Sequence, residues 1–379
     1  MVCTATLALA ALTVLLRRRG GMGTVAALLT VMAFGVFLIV NSEMRGRVAT
    51  VNLPGMERVE SVIYEQRERL AEMYRQQGLA DDEYAVVAAM TLGDRSGVSR
   101  ELKDAYRMSG AAHVFAVSGL HMGIIWAIMA FVLPTRVFPR LSSLLMIVVI
   151  WMYAMLVGMH ASVMRAAMML TIYTMCNMVA RERDALSALL LTAFLLLTFN
   201  PQWLYDVGFQ MSFLATLSIV VLMVRTGPKH KRYRIIQERG IWKRMMRWWP
   251  VKWLLGVMGA SIAAQMAVAP LVAYYFGNVS VYFLLTNIVV SPAAMLIISM
   301  CMVLWVLCYI CGAIPVVSVL MGWVSKVLIY VVRGLNDFLI WVSELPGAAV
   351  RDIHLSLSQV LVIYVALICV VLIVRIIKK

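Results

Sequence analysis

The chain has 379 residues, of which 63% are hydrophobic and 14% charged, with a formal net charge of +15. Soluble domains are about half apolar and about a quarter charged, so this composition excludes an ordinary soluble globule. Apolar runs such as Leu141 to Val157, Leu186 to Phe199 and Leu355 to Val374 suit helices crossing about 30 Å of hydrocarbon, and the alternating segments of a membrane β-barrel are not found.

In chain order, the first apolar stretch runs from Val2 to Leu16 and ends in Arg17-Arg18-Arg19. A signal peptide carries its cations ahead of the apolar core, so this reads as a retained helix with its basic end inside. A second helix, Thr24 to Val40, returns outward. Asn41 to Gly110 is the long polar segment, with ten Arg or Lys and twelve Asp or Glu, and is expected outside the membrane. Within it Glu57 to Gln77 has Val59, Ile63, Leu70 and Tyr74 spaced for one helical face. Leu79–Leu92 and Val98–Met108 are further helices, the latter capped by Ser96 or Ser99. Spans are then expected near 112–133, 141–158, 162–180, 185–199, 207–224, 253–275, 281–311, 315–333 and 355–375. Ser291-Pro292 is expected to break the span 281–311 into two half-helices.

Charge tests this order. Arg17–Arg19, Arg136 with Arg140, Arg181 with Arg183, and Lys378-Lys379 all fall on one side, as does a basic loop. That loop, 225–252, holds Lys231, Arg232, Arg234, Lys243, Arg244 and Arg247 among its cations, with Glu238 as its one acid. Loops around His160, Trp203, Asn278 and Asp337 fall on the other side. The expected fold is an all-α polytopic membrane protein of about ten or eleven transmembrane helices with a small extracytoplasmic helical segment, N-terminus outside and C-terminus cytoplasmic. Two readings of the basic loop stand: attraction to anionic lipid, or contact with nucleic acid, for which Trp242, Trp248 and Trp249 offer stacking faces.

Polar groups inside a membrane are costly and are candidate functional residues. Ser118 and His121 lie three apart, one helical turn, with His113 just before them and Gly119 and Gly123 allowing close helix approach. Interhelical hydrogen bonding and a water-facing conduit wall both account for them. Arg165 lies inside an apolar run, where it either snorkels or needs an internal partner. Asn200-Pro201 ends one helix and Asp206 can cap the next, leaving Gln210 and Ser212 inside a span without a capping role. Gln265 and Pro270 in one span, with Asn287, Ser291 and Pro292 in another, form a looser group. The six cysteines lie in apolar stretches without metal spacing, the five histidines are scattered, and no phosphate-binding G-x-x-x-x-G-K-[ST] loop occurs, so no metal or cofactor is expected.

The run Phe115-Ala116-Val117-Ser118-Gly119-Leu120-His121-Met122-Gly123 resembles the serine-glycine-leucine-histidine signature of the ComEC-type competence family. Three more of its landmarks follow the family order: Thr91-Leu92-Gly93-Asp94-Arg95, Ser162-Val163-Met164-Arg165-Ala166, and Asn200-Pro201 followed by Asp206-Val207-Gly208-Phe209-Gln210-Met211-Ser212-Phe213. The resemblance covers about residues 80–300 and implies a bacterial inner-membrane channel importing transforming single-stranded DNA, not an enzyme. It implies a helix pair over 1–41, an extracytoplasmic segment over 42–110, a channel core over 111–333 with the basic loop, and an amphipathic segment with a last transmembrane helix over 334–379. The strand-rich OB-like domain and the histidine-rich metallo-β-lactamase-like domain of many members have no counterpart in these residues. The resemblance therefore implies a separate nuclease and DNA receptor, and the missing phosphate-binding loop leaves the energy to a separate motor or an ion gradient. On this reading His113, Ser118, His121, Arg165, Gln210, Gln265 and Asn287 line or position the strand. A channel for a smaller anion, and a hydrolase using Ser118 with His121, are the other classes. The hydrolase is disfavoured because a Ser/His pair one turn apart on a helix rarely aligns.

Overall fold

The computed structural model describes residues 56–134, 137–178, 185–224, 249–311 and 315–377. Both N-terminal helices expected over 2–40 lie outside these, as do Lys231, Arg232, Arg234, Lys243, Arg244, Arg247, Trp242 and Trp248 of the basic loop. The described residues form twelve helices: α1 (Met56–Gln76), α2 (Asp81–Thr91), α3 (Arg100–Ser109), α4 (Gly119–Val132), α5 (Pro139–Leu156), α6 (Ala161–Met178), α7 (Ala185–Phe199), α8 (Val207–Ile219), α9 (Trp249–Phe276), α10 (Phe283–Cys311), α11 (Pro315–Glu344) and α12 (Leu357–Ile377). Short 3-10 turns precede α4 and α8, at Ala112–Phe115 and Pro201–Tyr205. One two-residue antiparallel ladder pairs β1 (Val279–Ser280) with β2 (Ala349–Val350), so the α10–α11 hairpin begins and ends at the same place.

Among the described residues, four helices are long and apolar enough to cross a membrane: Pro139–Leu156, Trp253–Phe276, Phe283–Tyr309 and Val317–Glu344. Five shorter apolar helices accompany them, and large apolar side chains such as Phe131, Met152 and Val362 point outward. Such a surface is stable against lipid and not against water. The fold is that of an all-α, multi-pass membrane protein.

Helix α10 organises the interior. Val290, Ala294, Ile297, Cys301 and Leu304 recur every three or four residues and bury one stripe against α1, α2, α3 and α11. Ile298, about a quarter-turn round, packs instead with Val117, Ile125, Ile150 and Val163 of the α4–α6 group. Beyond its acidic first turn of Asp81, Asp82 and Glu83, α2 is mostly apolar and correspondingly surrounded, with every residue from Ala85 to Thr91 buried. The polar segment before α4 is thus packed along α10 and α11. Thr286 donates to the Ser109 carbonyl at 2.8 Å, and Trp305 Nε1 donates to Tyr74 Oη at 2.8 Å. Tyr74 in turn donates to Thr91 Oγ1 at 3.1 Å, whose own proton goes to the Val87 carbonyl at 2.7 Å, so each member of this buried chain is satisfied.

Several expectations need correction. The span expected from residue 112 starts at Gly119, because Ala112–Phe115 is a 3-10 turn and Ala116 is extended. Ser291-Pro292 does not split α10: the helix continues through Pro292, its buried stripe on either side held by α1–α3. Helix α11 runs on to Glu344, so Asp337 is helical and not in a loop. On α1, Leu70 and Tyr74 are buried as expected, Ile63 is half-buried and Val59 is exposed. Pro270 sits inside α9, where it strips the Met266 carbonyl of its helical donor. The neighbouring Ala267 carbonyl accepts from Tyr364 of α12 at 2.8 Å.

Tyr106 Oη donates to Asn336 Oδ1 at 2.7 Å between two buried side chains, joining α3 to α11. Tyr106→Phe would leave a buried amide oxygen without its donor, a cost of about 1–3 kcal/mol. A lowered melting temperature in detergent is expected; an unchanged one would mean that Asn336 finds another donor.

Candidate functional site

The four landmark runs, scattered over 120 residues of sequence, meet at one end of the bundle and are joined link by link. Gly93 follows the last turn of α2 with φ +75°, and its face stands against the Val157 carbonyl at the end of α5. Arg67 of α1 straps the same junction, donating through Nη2 to the Leu92 carbonyl at 3.0 Å and through Nε to the Leu156 carbonyl. Asp94 folds the turn by accepting from Ser96 N–H at 2.9 Å and Ser96 Oγ–H at 2.7 Å. These bonds hold its carboxyl below the usual range. Because that shift is downward, its contribution to stability is present above the ordinary carboxylate pKa and lost as pH falls through the depressed one. Arg95 then reaches forward, donating from Nε to the Phe115 carbonyl at 2.7 Å.

From the other side Ser162 of α6 donates to the Val117 carbonyl at 3.0 Å, so the segment 115–117 is held from two directions. It delivers Ser118 as N-cap of α4. Ser118 accepts from Leu120 N–H at 3.2 Å, while His121 Nδ1 accepts from Ser118 N–H at 3.2 Å, a capping box with histidine in the reciprocal role. The Ser118 hydroxyl also lies 2.9 Å from His121 Nδ1. Since Nδ1 accepts, the neutral ring carries its proton on Nε2, and that buried nitrogen has no partner among the described residues. The Ser118–His121 pair therefore does align, contrary to expectation, but through the bend before α4 and not along one helical face.

Arg165 lies in the second turn of α6 and is 8% exposed, so it does not snorkel. Its Nε donates to Ser212 Oγ of α8 at 2.7 Å, Nη1 lies 3.8 Å from Met169 Sδ, and the guanidinium stands 5.9 Å from the Phe213 ring centre. Nη2 lies 3.1 Å from where a side chain on Gly119 would begin, so Gly119 permits the approach. None of the ion pairs among the described residues includes Arg165. On α8, Asp206 caps the helix by accepting from Phe209 N–H at 2.6 Å. Asn200 Oδ1 accepts from Gln202 N–H at 3.1 Å and Pro201 opens the 3-10 turn, which is the punctuation expected of them. Gln210 donates to the Leu204 carbonyl at 2.8 Å and accepts from Tyr275 of α9 at 3.1 Å.

Other candidates fall away from this chain of contacts. His113 is exposed, its Nδ1 3.1 Å from the Gly110 carbonyl. Gly123 has no neighbour within 4 Å of its Cβ position and is not a close-approach glycine. Gln265 and Asn287 are half-buried without a described side-chain hydrogen bond, and Pro292 is a helix-interior proline. His160, exposed in the α5–α6 turn, is pushed below its usual pKa by partial burial and then by the Arg95 and Arg67 charges, which disfavour its cationic form. The residues that sequence reasoning missed are Arg67, Arg95 and Tyr275. Arg95 ends a recognised landmark run without a role of its own. Arg67 sits in a heavily charged helix, where nothing sets it apart from its neighbours.

These motifs agree with what comparison finds. A relative described as ComE operon protein 3, from Bacillus subtilis (strain 168), is 31% identical over 216 residues, 56% of this chain and 25% of its own length. An uncharacterized protein from Aquifex aeolicus (strain VF5) is 28% identical over 158 residues, 41% of this chain and 38% of its own. The chain thus spans well under half the length of either relative. No solved structure matches. The sequence model of the family described as Competence protein matches residues 90–376, which takes in every landmark above and most of the chain, and the protein belongs to that competence protein family.

Proposed function

We propose that this chain forms the conduit through which a single DNA strand crosses the bacterial inner membrane during natural transformation. The observation that carries the reading is the convergence of the family's four landmark runs at one end of the bundle, around a buried arginine with no carboxylate partner among the described residues. A strand carries one negative charge per nucleotide, and hydrocarbon offers nothing to balance it. Arg165, together with Ser118, His121 and Gln210, forms the outer mouth, and Gln265 and Asn287 continue the polar path. His113 lies exposed beside that mouth. The basic loop 225–252 receives the strand on the cytoplasmic side, while a motor, a DNA receptor and a nuclease act from separate chains. The N-terminus faces outward and the C-terminus inward.

The hydrolase reading loses ground on chemistry. His121 Nδ1 is shared between the Ser118 amide and hydroxyl, and no third group among the described residues orients Nε2, as a nucleophile–base pair requires. A small-anion channel remains the other class, because a lone buried arginine suits it too.

The test is uptake by proteoliposomes with single-strand-binding protein trapped in the lumen, so that inward diffusion is rectified without a motor. Labelled single-stranded DNA should become nuclease-protected whatever its sequence, with a rate falling steeply as salt rises. A strand of the same length with an uncharged backbone should be excluded. Vesicles that pass chloride or phosphate but protect no DNA would establish the small-anion channel instead.

A further inference from the structure

The surroundings of Arg165 are electrostatically incomplete. Its guanidinium is desolvated, and Nη2 is directed at the first residue of α4. A helix N-terminus carries about half a positive charge and attracts anions. Neither α4, of 14 residues, nor α6, of 18, has an acid in its first turn. Helix α8 is capped by the carboxylate of Asp206, whereas the cap of α4 is the neutral hydroxyl of Ser118. Arg165 thus places a full positive charge against the positive end of α4 and near that of its own helix, with no counter-charge among the described residues. Within the same turn of α4, His121 is 2% exposed and its Nε2 has no partner among the described residues. Arg165, more than nine-tenths buried, therefore keeps Nη2 without a hydrogen bond among the described residues at the start of α4. Unpaired buried donors and uncompensated buried charge each cost several kcal/mol unless a ligand answers them.

We infer that Arg165 and the N-terminus of α4 form a discrete binding site for a phosphate group. The planar guanidinium fork suits a tetrahedral oxyanion, and Ser212 fixes it by occupying Nε while leaving Nη2 free. Gly119 lets the fork stand at the positive end of α4, since any side chain there meets the guanidinium. The inference rests on the conduit reading for its natural ligand, a backbone phosphodiester, but not for its chemistry. It makes the mouth a station that holds one phosphate at a time instead of a diffusely basic wall.

The experiment needs no transport. Full-length protein in detergent, stripped of lipid, is titrated with dimethyl phosphate and with inorganic phosphate, followed by calorimetry and thermal melting. Saturable one-to-one binding is expected for wild type, with affinity at least tenfold weaker in Arg165→Gln and weaker in Gly119→Ala. Arg165→Lys, which keeps the charge, guards against a fold defect and should retain part of the affinity. If wild type binds only after lipid removal, and an anionic phospholipid copurifies with it but not with Arg165→Gln, the phosphate comes from a headgroup and the site stands. No saturable binding by folded wild type, or equal binding by folded Arg165→Gln, overturns the site, while DNA uptake in vesicles stays an independent result.

Discussion

Arg165→Ala protein, folded and inserted, should carry labelled single-stranded DNA into vesicles at about a hundredth of the wild-type rate. Hydrogen bonds to a charged group contribute about 1.5–3 kcal/mol, more when desolvated, and each 1.36 kcal/mol on a barrier is tenfold in rate. If each backbone phosphate must shed water at the mouth, the arginine lowers that barrier once per nucleotide. Arg165→Lys should fall between, because a flexible ammonium supplies charge without the fork that spans Ser212 and the start of α4. Ser212→Ala removes the acceptor that fixes Nε but leaves the charge, so its loss should stay within about tenfold. The salt dependence should flatten in Arg165→Ala, since fewer phosphate contacts remain to be screened. Wild-type uptake by Arg165→Ala, with correct orientation and melting temperature, would move the strand's path away from this arginine.

Sequence alone made much of this legible, and for identifiable reasons. Apolar runs of bilayer length fixed the class, and helices α2 and α3 appeared within two residues of their expected starts because Ser99 caps one and Gly93 and Gly110 close both. Asp206 as an N-cap is a local rule, and local rules transfer. What stayed hidden is what depends on distant segments. Pro292 looked like a break because proline costs a helix about 3 kcal/mol. The buried stripe from Val290 to Leu304, which holds the helix through it, exists only once α1–α3 are packed against it. His121 read as half of a Ser/His pair on one face, whereas the chain bends just before Gly119 and makes it the closing member of a cap. Arg165 left two options open in sequence. Its partner Ser212, 47 residues away, lay in a span where only a polar residue without a capping role was visible. Arg67 and Arg95 were unreadable because backbone carbonyls, their acceptors, leave no trace in residue type.

The joint between α2 and the α5–α6 turn yields the second large effect. Gly93 has φ +75° at the end of α2, and a methyl group there would lie 2.7 Å from the Val157 carbonyl oxygen, a backbone atom that cannot swing aside. Gly78 has φ +87° at the end of α1 with nothing within 4 Å. Alanine at either site pays the left-handed backbone cost of about 1–2 kcal/mol. At Gly93 the forced contact adds about 1–3 kcal/mol of the kind seen on overpacking. Gly93→Ala should therefore destabilise the protein by about 2–5 kcal/mol and Gly78→Ala by about 1–2 kcal/mol, read as unequal falls in resistance to denaturing detergent. The excess at Gly93 has a functional echo, because the same turn carries Arg95, whose grip on the Phe115 carbonyl sets the bend that delivers Ser118 and His121. Gly93→Ala protein that stays folded at low temperature should take up DNA more slowly than Gly78→Ala protein of matched folded fraction. Equal stability losses would show that α5 yields freely at Val157. Equal uptake would show that the turn supports the fold without positioning the mouth.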